Sequence, residues 1–432
     1  MGPTFGATHG TGRVAVFLVA GAIALSPATA EELLIDGDVN VRIDPADRSV
    51  LSRLKDELVA HEQRVGPNFL FISVRDRIAF NDNVYAEETD SSDAFVSRAM
   101  VEVAARTDWG RHRIELNGSA EDVRYFDLPL ENHTNFGGVG KFTLDTKSGG
   151  GIRLRLGAAQ EHEQRTAPES VNGLTPTPVR NYLIRTEIFK NFNRLTATLD
   201  TRVARSDFDD VPAANGVIID NDFRDLTKMT GIINLGYEHH PRHTTFFRLT
   251  ASALDYPDGA DRALSSRDST GVRVETGVFI GIAPLTLGEV FIGYSYREFV
   301  GSRLRTVSEP IFGLRVSSRP TALTGVEASI RQGLAETSVE STAAVTIQRA
   351  KIKIDHEFKR NVTFRLDGLW GREKYRDSFR QDKVYAARAQ IDWQINRHAR
   401  LSVSHEYNRR VSNQPDESFR QAVTSAQVSF VL

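Results

Sequence analysis

Residues 422–432 read AVTSAQVSFVL and alternate without a fault. Ala422, Thr424, Ala426, Val428, Phe430 and Leu432 fall on one face of an extended chain, and Val423, Ser425, Gln427, Ser429 and Val431 on the other. A period of two is a strand signal, and a strand apolar at every second position up to the last residue is how outer-membrane barrels close. Such a strand has to pair with the first one, because an open edge in hydrocarbon leaves backbone N–H and C=O groups without partners. Val428, Phe430 and Leu432 are therefore the candidate closing residues on the lipid side.

Upstream, the same unit of alternating strand, connection and alternating strand repeats from about residue 68. Leu70, Ile72, Val74, Ile78 and Phe80 share a face, as do Ile114, Leu116, Gly118 and Ala120. The pattern returns at Leu195, Ala197, Leu199 and Val203, and at Tyr385, Ala387, Ala389, Ile391, Trp393 and Ile395. None of these segments sustains a helical repeat. Short connections (108–112, 145–151, 190–194, 239–243, 319–323, 358–361, 396–400) alternate with long polar ones (81–93, 165–180, 206–222, 256–269). Barrels inserted from the periplasm sort their loops in this way, and soluble sandwiches do not. The count is about 18 strands, an even number that leaves both ends of an up-and-down antiparallel transmembrane β-barrel in the periplasm.

The start of the chain supplies an address. Arg13 precedes the apolar stretch Val14 to Leu25, and Ala28-Thr29-Ala30 is a small-residue cleavage site before Glu31. The stretch is too short to span a bilayer as a helix, so residues 1–30 are expected to be a signal peptide removed on export to the outer membrane. Residues 31–66 break the alternation. Leu51, Leu54 and Leu58 take helical spacing, which marks a periplasmic segment before the barrel at 67–432.

Composition agrees with this class. The formal charge is −2 and Cys is absent, which excludes a disulfide framework and thiol metal sites and argues against nucleic acid as a partner. A mean hydropathy of −0.32 suits a barrel, in which only every second strand residue meets lipid.

The face opposite the apolar one carries the candidate functional residues. Glu115, Glu121, Arg153, Arg155, Glu327, Arg331, Arg365, Asp367, Arg388 and Asp392 are expected to line the lumen, since Arg or Lys facing lipid at mid-bilayer costs roughly 2–4 kcal/mol. Other clusters are weaker. His239, His240 and His243 sit in one turn and read as solvated, and Asp207, Asp209, Asp210, Asp220 and Asp222 lack the spacing of a calcium loop. Ser404 and His405 are adjacent on a strand, so they point to opposite faces and make no nucleophile–base pair. No catalytic, cofactor or metal motif is found, and the chain does not read as an enzyme.

FNDNVY (80–85), Pro320-Thr321 within RPTALT, RQGLAET (331–337), RQD (380–382) and RRVSN (409–413), in this order, resemble the putative beta-barrel porin 2 family over most of residues 65–432. Arg319 stands where that family often has an aromatic residue, and the final residue is Leu432 rather than an aromatic. The resemblance implies an integral outer-membrane barrel, often found with exopolysaccharide systems. The expected partners are outer-membrane lipid, the barrel assembly machinery and a periplasmic polysaccharide-export component. The expected function is passage of solute, with polysaccharide export as its specific form. The alternatives are a passive general porin and a plugged structural barrel.

Overall fold

The computed structural model describes residues 63–107, 109–256, 267–301, 304–337, 339, 342 and 344–432. The expected signal peptide and the helix-spaced leucines of residues 51–58 lie outside the described residues.

Eighteen long strands follow one another in simple order. They are β1 Asn68–Asn81, β2 Ala94–Thr107, β3 His112–Tyr125, β4 His133–Asp145, β5 Gly150–His162 and β6 Pro178–Phe192. Next come β7 Leu195–Phe208, β8 Leu226–His240, β9 His243–Asp255, β10 Ser269–Ala283, β11 Thr286–Phe299 and β12 Val307–Thr321. The last six are β13 Thr324–Ala335, β14 Val345–Lys359, β15 Val362–Tyr375, β16 Gln381–Gln394, β17 Ala399–Ser412 and β18 Phe419–Val431. Each pairs antiparallel with its sequence neighbours, and β18 pairs with β1 from Ser73↔Val431 to Asn81↔Val423. The Leu432 N–H extends this seam by donating to the Ile72 carbonyl at 3.0 Å. The expected eighteen-strand antiparallel barrel is therefore the observed one. Residues Gln63–Val65, placed by the sequence pattern before the barrel, turn back at Gly66 and pair with the start of β1.

All the tight turns lie at one rim, which by the rule for such barrels is the periplasmic one. Several need a left-handed residue, supplied by Gly110, Gly149, Asn193 and Arg242 at φ of 69°, 77°, 53° and 69°. One tight turn, Pro284-Leu285 between β10 and β11, is missing from the connections recognised in the sequence. The outer rim carries residues 82–93, 163–177, 209–225 and 256–268, close to the expected long loops, and five shorter ones. β6 begins at Pro178 and β7 runs to Phe208, so two loops are displaced by two or three residues from their sequence-based bounds.

Alternation decides which side chains meet lipid. On β6, Tyr182, Ile184 and Ile188 are exposed on the outside of the barrel, and on β18 so are Val428 and Phe430. Trp109 and Trp393 are exposed at the periplasmic rim, and Trp370 lies nearer the outer one, where interfacial aromatics belong.

Candidate functional site

The inner face holds nearly all the mid-strand charge, and strand register sorts that charge by wall. Across β13 to β17 the facing residues are Glu327↔Lys353, Lys353↔Asp367, Asp367↔Arg388 and Arg388↔Glu406. Signs alternate at every step, so Lys353, Asp367 and Arg388 each have an opposite on both sides and Glu327 and Glu406 on one, the arrangement in which cross-strand pairs stabilise a sheet. Half-way round the ring the pattern is different. Lys141↔Arg155, Arg155↔Arg185 and Arg185↔Arg202 place four cations abreast on β4, β5, β6 and β7.

The sequence-derived lumen candidates all lie on this inner face, each in its own local arrangement. Glu115 is 3.6 Å from Arg113, and Glu121 is 3.9 Å from Arg98 and accepts a hydrogen bond from Asn135 at 3.0 Å. Arg153 donates to Glu187, and Arg331 stands 3.9 Å from Glu275 over the ring of Phe291. Arg365 bonds Asp355 at 3.2 Å and lies 3.9 Å from Asp392, which also accepts from Ser402 at 2.6 Å. Asp367 and Arg388 belong to the alternating row. Arg155 differs from these in facing only cations in register, Lys141 and Arg185.

Sequence reasoning missed several inner residues. Asp200 bridges Arg185 at 2.5 Å and Arg202 at 3.0 Å, and Arg248 joins Glu275 at 3.1 Å and Asn234 at 2.8 Å. The alternation that exposed Leu199 and Val203 to lipid could have found Asp200 and Arg202. Their pairing with Arg185 depends on register, which no single strand reveals.

Long outer loops fold over the mouth. Residues 163–177 leave β5, and the Glu163 carboxylate accepts from the buried Arg224 at 2.5 Å. Arg165 then reaches Glu131 at 2.6 Å and stacks on the ring of Tyr85, whose phenol is pushed up first by burial and then by Glu131. Arg410 of β17 donates to the Thr166 carbonyl at 2.7 Å, which ties the loop to a strand six places away round the barrel. Leu174 donates its N–H to the Pro212 carbonyl at 2.7 Å, locking this loop to residues 209–225. A third tie comes from Glu336, just beyond β13, which lies 2.8 Å from Lys228 and 3.6 Å from Arg297. Burial acts against ionisation of Glu336, but the two cations prevail and hold its carboxyl below the usual range.

Of the weaker clusters, His239 shares a 2.9 Å hydrogen bond with Thr245 and meets the ring of Tyr237 edge-on at 4.9 Å, at the exposed periplasmic turn. Asp210, Asp220 and Asp222 converge on the outer surface, where Asp210 and Asp220 accept the backbone N–H groups of Asn221 and Asp222. His405 faces outward and bonds Thr424 at 2.9 Å, while Ser404 faces inward to Ser425, so the two remain on opposite faces.

A family model described as putative beta-barrel porin 2 matches residues 60–431. No curated protein matches the chain. Among solved structures, OccK2 (OpdF) of Pseudomonas aeruginosa is similar at 10% identity and a TM-score of 0.47, over 84% of this chain and 97% of that one. A BenF-like porin from Pseudomonas fluorescens Pf-5 is similar at 9% identity and a TM-score of 0.47, over 85% and 100%.

Proposed function

The chain belongs to the putative beta-barrel porin 2 family and is a porin-like barrel of the outer membrane, and on that premise we propose that its lumen passes small water-soluble solutes. One observation carries this reading. Arg155, Glu327, Lys351 and Lys353 point inward yet are exposed, which favours water inside the barrel at their level. Barrels of 16–18 strands leave room for such a channel. A plugged structural barrel would bury these charges, at a desolvation cost.

Cleavage of residues 1–30 and contact of residues 31–66 with a periplasmic component complete the proposal. Polysaccharide export, implied by the family resemblance, requires a mouth wide enough for a hydrated polymer. The loop of residues 163–177, fixed to Arg410 on one side and Glu131 on the other, argues for smaller solutes.

The test is reconstitution of the purified barrel in a planar bilayer. Stepwise conductance is expected. A protein that inserts, shows heat-modifiable mobility and never conducts would establish the plugged reading, and loss of surface polysaccharide in a deletion strain would restore the export reading.

A further inference from the structure

Five cations gather on the lipid-side face of four neighbouring strands, at the outer rim. They are Arg372 and Lys374 on β15, Lys383 on β16, Arg409 on β17 and Arg420 on β18, all exposed and each within three residues of the outer end of its strand. Their chain neighbours Glu373, Asp382, Arg410 and Gln421 are buried on the inner side, so alternation assigns the two faces.

Register places no carboxylate opposite any of the five. Arg372 faces Gln348 and Lys383, Lys374 faces Thr346 and Gln381, Lys383 also faces Val411, and Arg409 faces Tyr385 and Arg420. No Asp or Glu stands anywhere on the outward face of β15 to β18. Of the acids just beyond these strands, Glu417 turns in to the buried Arg380 at 2.7 Å, and Asp82 accepts the Ala422 N–H at 2.6 Å. Two like-charged pairs, Arg372↔Lys383 and Arg409↔Arg420, therefore stand directly opposite, an arrangement that weakens a sheet. Elsewhere on this rim the outward charges come in both signs. Arg124 lies 2.5 Å from Asp122 on β3, Arg180 of β6 lies 2.8 Å from Asp209, and Arg205 lies 3.5 Å from Asp207 on β7. Fold stability explains the paired arc and does not explain the basic one.

The depth of the basic arc is set by aromatic side chains. Trp370, Tyr385 and Tyr407 are exposed on the same face, each two residues nearer mid-strand than Arg372, Lys383 and Arg409 respectively. Outward Trp and Tyr mark the boundary between hydrocarbon and head groups, and two residues of strand rise about 7 Å. The cations thus stand in the head-group layer of the outer leaflet.

We propose that the outer rim of β15 to β18 is a binding site for a phosphorylated lipid of that leaflet. Arg372, Lys383, Arg409 and Arg420 hold its phosphate groups, and its acyl chains lie on the apolar strand face below, past Trp370, Tyr385 and Tyr407. Guanidinium forks match phosphate oxygens and stay charged at any working pH. Four strands at sheet spacing put about 15 Å between the outermost cations, room for more than one phosphate. A phosphate seated between Arg409 and Arg420, or between Arg372 and Lys383, also relieves the like-charge contact that the empty sheet carries. The site lies on the outside of the wall and does not depend on whether the lumen conducts.

The experiment presents the full mature barrel in detergent with lipid A or with dephosphorylated lipid A, and counts bound lipid by native mass spectrometry. The wild type is expected to retain lipid A about tenfold or more over the dephosphorylated form, since each basic residue beside an anionic lipid contributes about fivefold. Inorganic phosphate at the same concentration should not displace it. Arg372→Gln, Lys383→Gln, Arg409→Gln and Arg420→Gln combined should abolish the preference, whereas Arg205→Gln on the paired arc should leave it unchanged. The combined variant removes like-charge repulsion and strands no outward carboxylate, so its heat-modification temperature without lipid should not fall. Equal retention of the two lipids by the wild type, a reading that needs no variant, would overturn the site. So would displacement by inorganic phosphate, which would leave only a free-anion patch, or undiminished retention by the combined variant.

Discussion

Arg410 and Thr166 stand 244 positions apart in the chain and are joined by one 2.7 Å hydrogen bond from guanidinium to backbone carbonyl. Through it the loop that leaves β5 is held against β17. The barrel wall is fixed by strand pairing, whereas the mouth is set by a handful of such ties, each open to substitution.

Arg410→Ala should therefore loosen residues 163–177. A hydrogen bond from a charged donor contributes roughly 1.5–3 kcal/mol, enough to shift an open-to-closed equilibrium at least tenfold. Faster trypsin cleavage at Arg165 on intact cells and larger or noisier single-channel current are the expected signs. Unchanged cleavage and current would mean that Arg165 and Leu174 hold the loop without help from β17.

The two faces of the closing strand make a second test. Ala426 lies outward at mid-strand and Gln427 inward beside it. Ala426→Arg should impair assembly, at roughly 2–4 kcal/mol for a cation at mid-bilayer, and Gln427→Arg should not. Yield of the heat-modifiable form measures it, and equal yields would mean that inner and outer faces have been exchanged.

Asp200 offers a double readout. Asp200→Asn leaves Arg185 and Arg202 to face each other without a shared carboxylate, and breaking a buried pair costs about 3–5 kcal/mol, less here because Arg185 is partly in water. The heat-modification temperature should fall, and removal of one inward negative charge should shift the selectivity of a conducting barrel toward anions. An unchanged heat-modification temperature would contradict the pairing described.

The Glu336 tie should fail in acid. A carboxyl held below its usual range by Lys228 and Arg297 stabilises the folded loop above its ordinary titration range, and the contribution is lost as pH falls through the lowered folded value. The backbone at Glu336 and Thr337 should stay protected from protease at neutral and mildly acidic pH and become sensitive in stronger acid. Glu336→Gln should show the acid behaviour at neutral pH; identical protease profiles for wild type and variant would exclude the tie.

The barrel was legible in the sequence because lipid enforces alternation on every strand, and residues such as Ile184, Val203 and Phe430 could stand nowhere else. The turn at Pro284-Leu285 was not, since within Ile282 to Leu287 Pro284 is the only turn-forming residue and no Gly, Asn or Asp accompanies it. The inner face was legible residue by residue but not as a pattern. That Arg155 faces Arg185 while Arg388 faces Asp367 follows from the stagger between strands, which is a property of the closed ring and has no signature in any one segment.

The stagger has a further consequence. From Glu327 on β13 to Glu406 on β17 the line of facing charges crosses four of the eighteen inter-strand steps. Such a line rises along the wall as it passes round the axis, as a screw thread does, so its two ends stand at different depths over different strands. A substitution at one end therefore alters one depth of the lumen and leaves the other as it was.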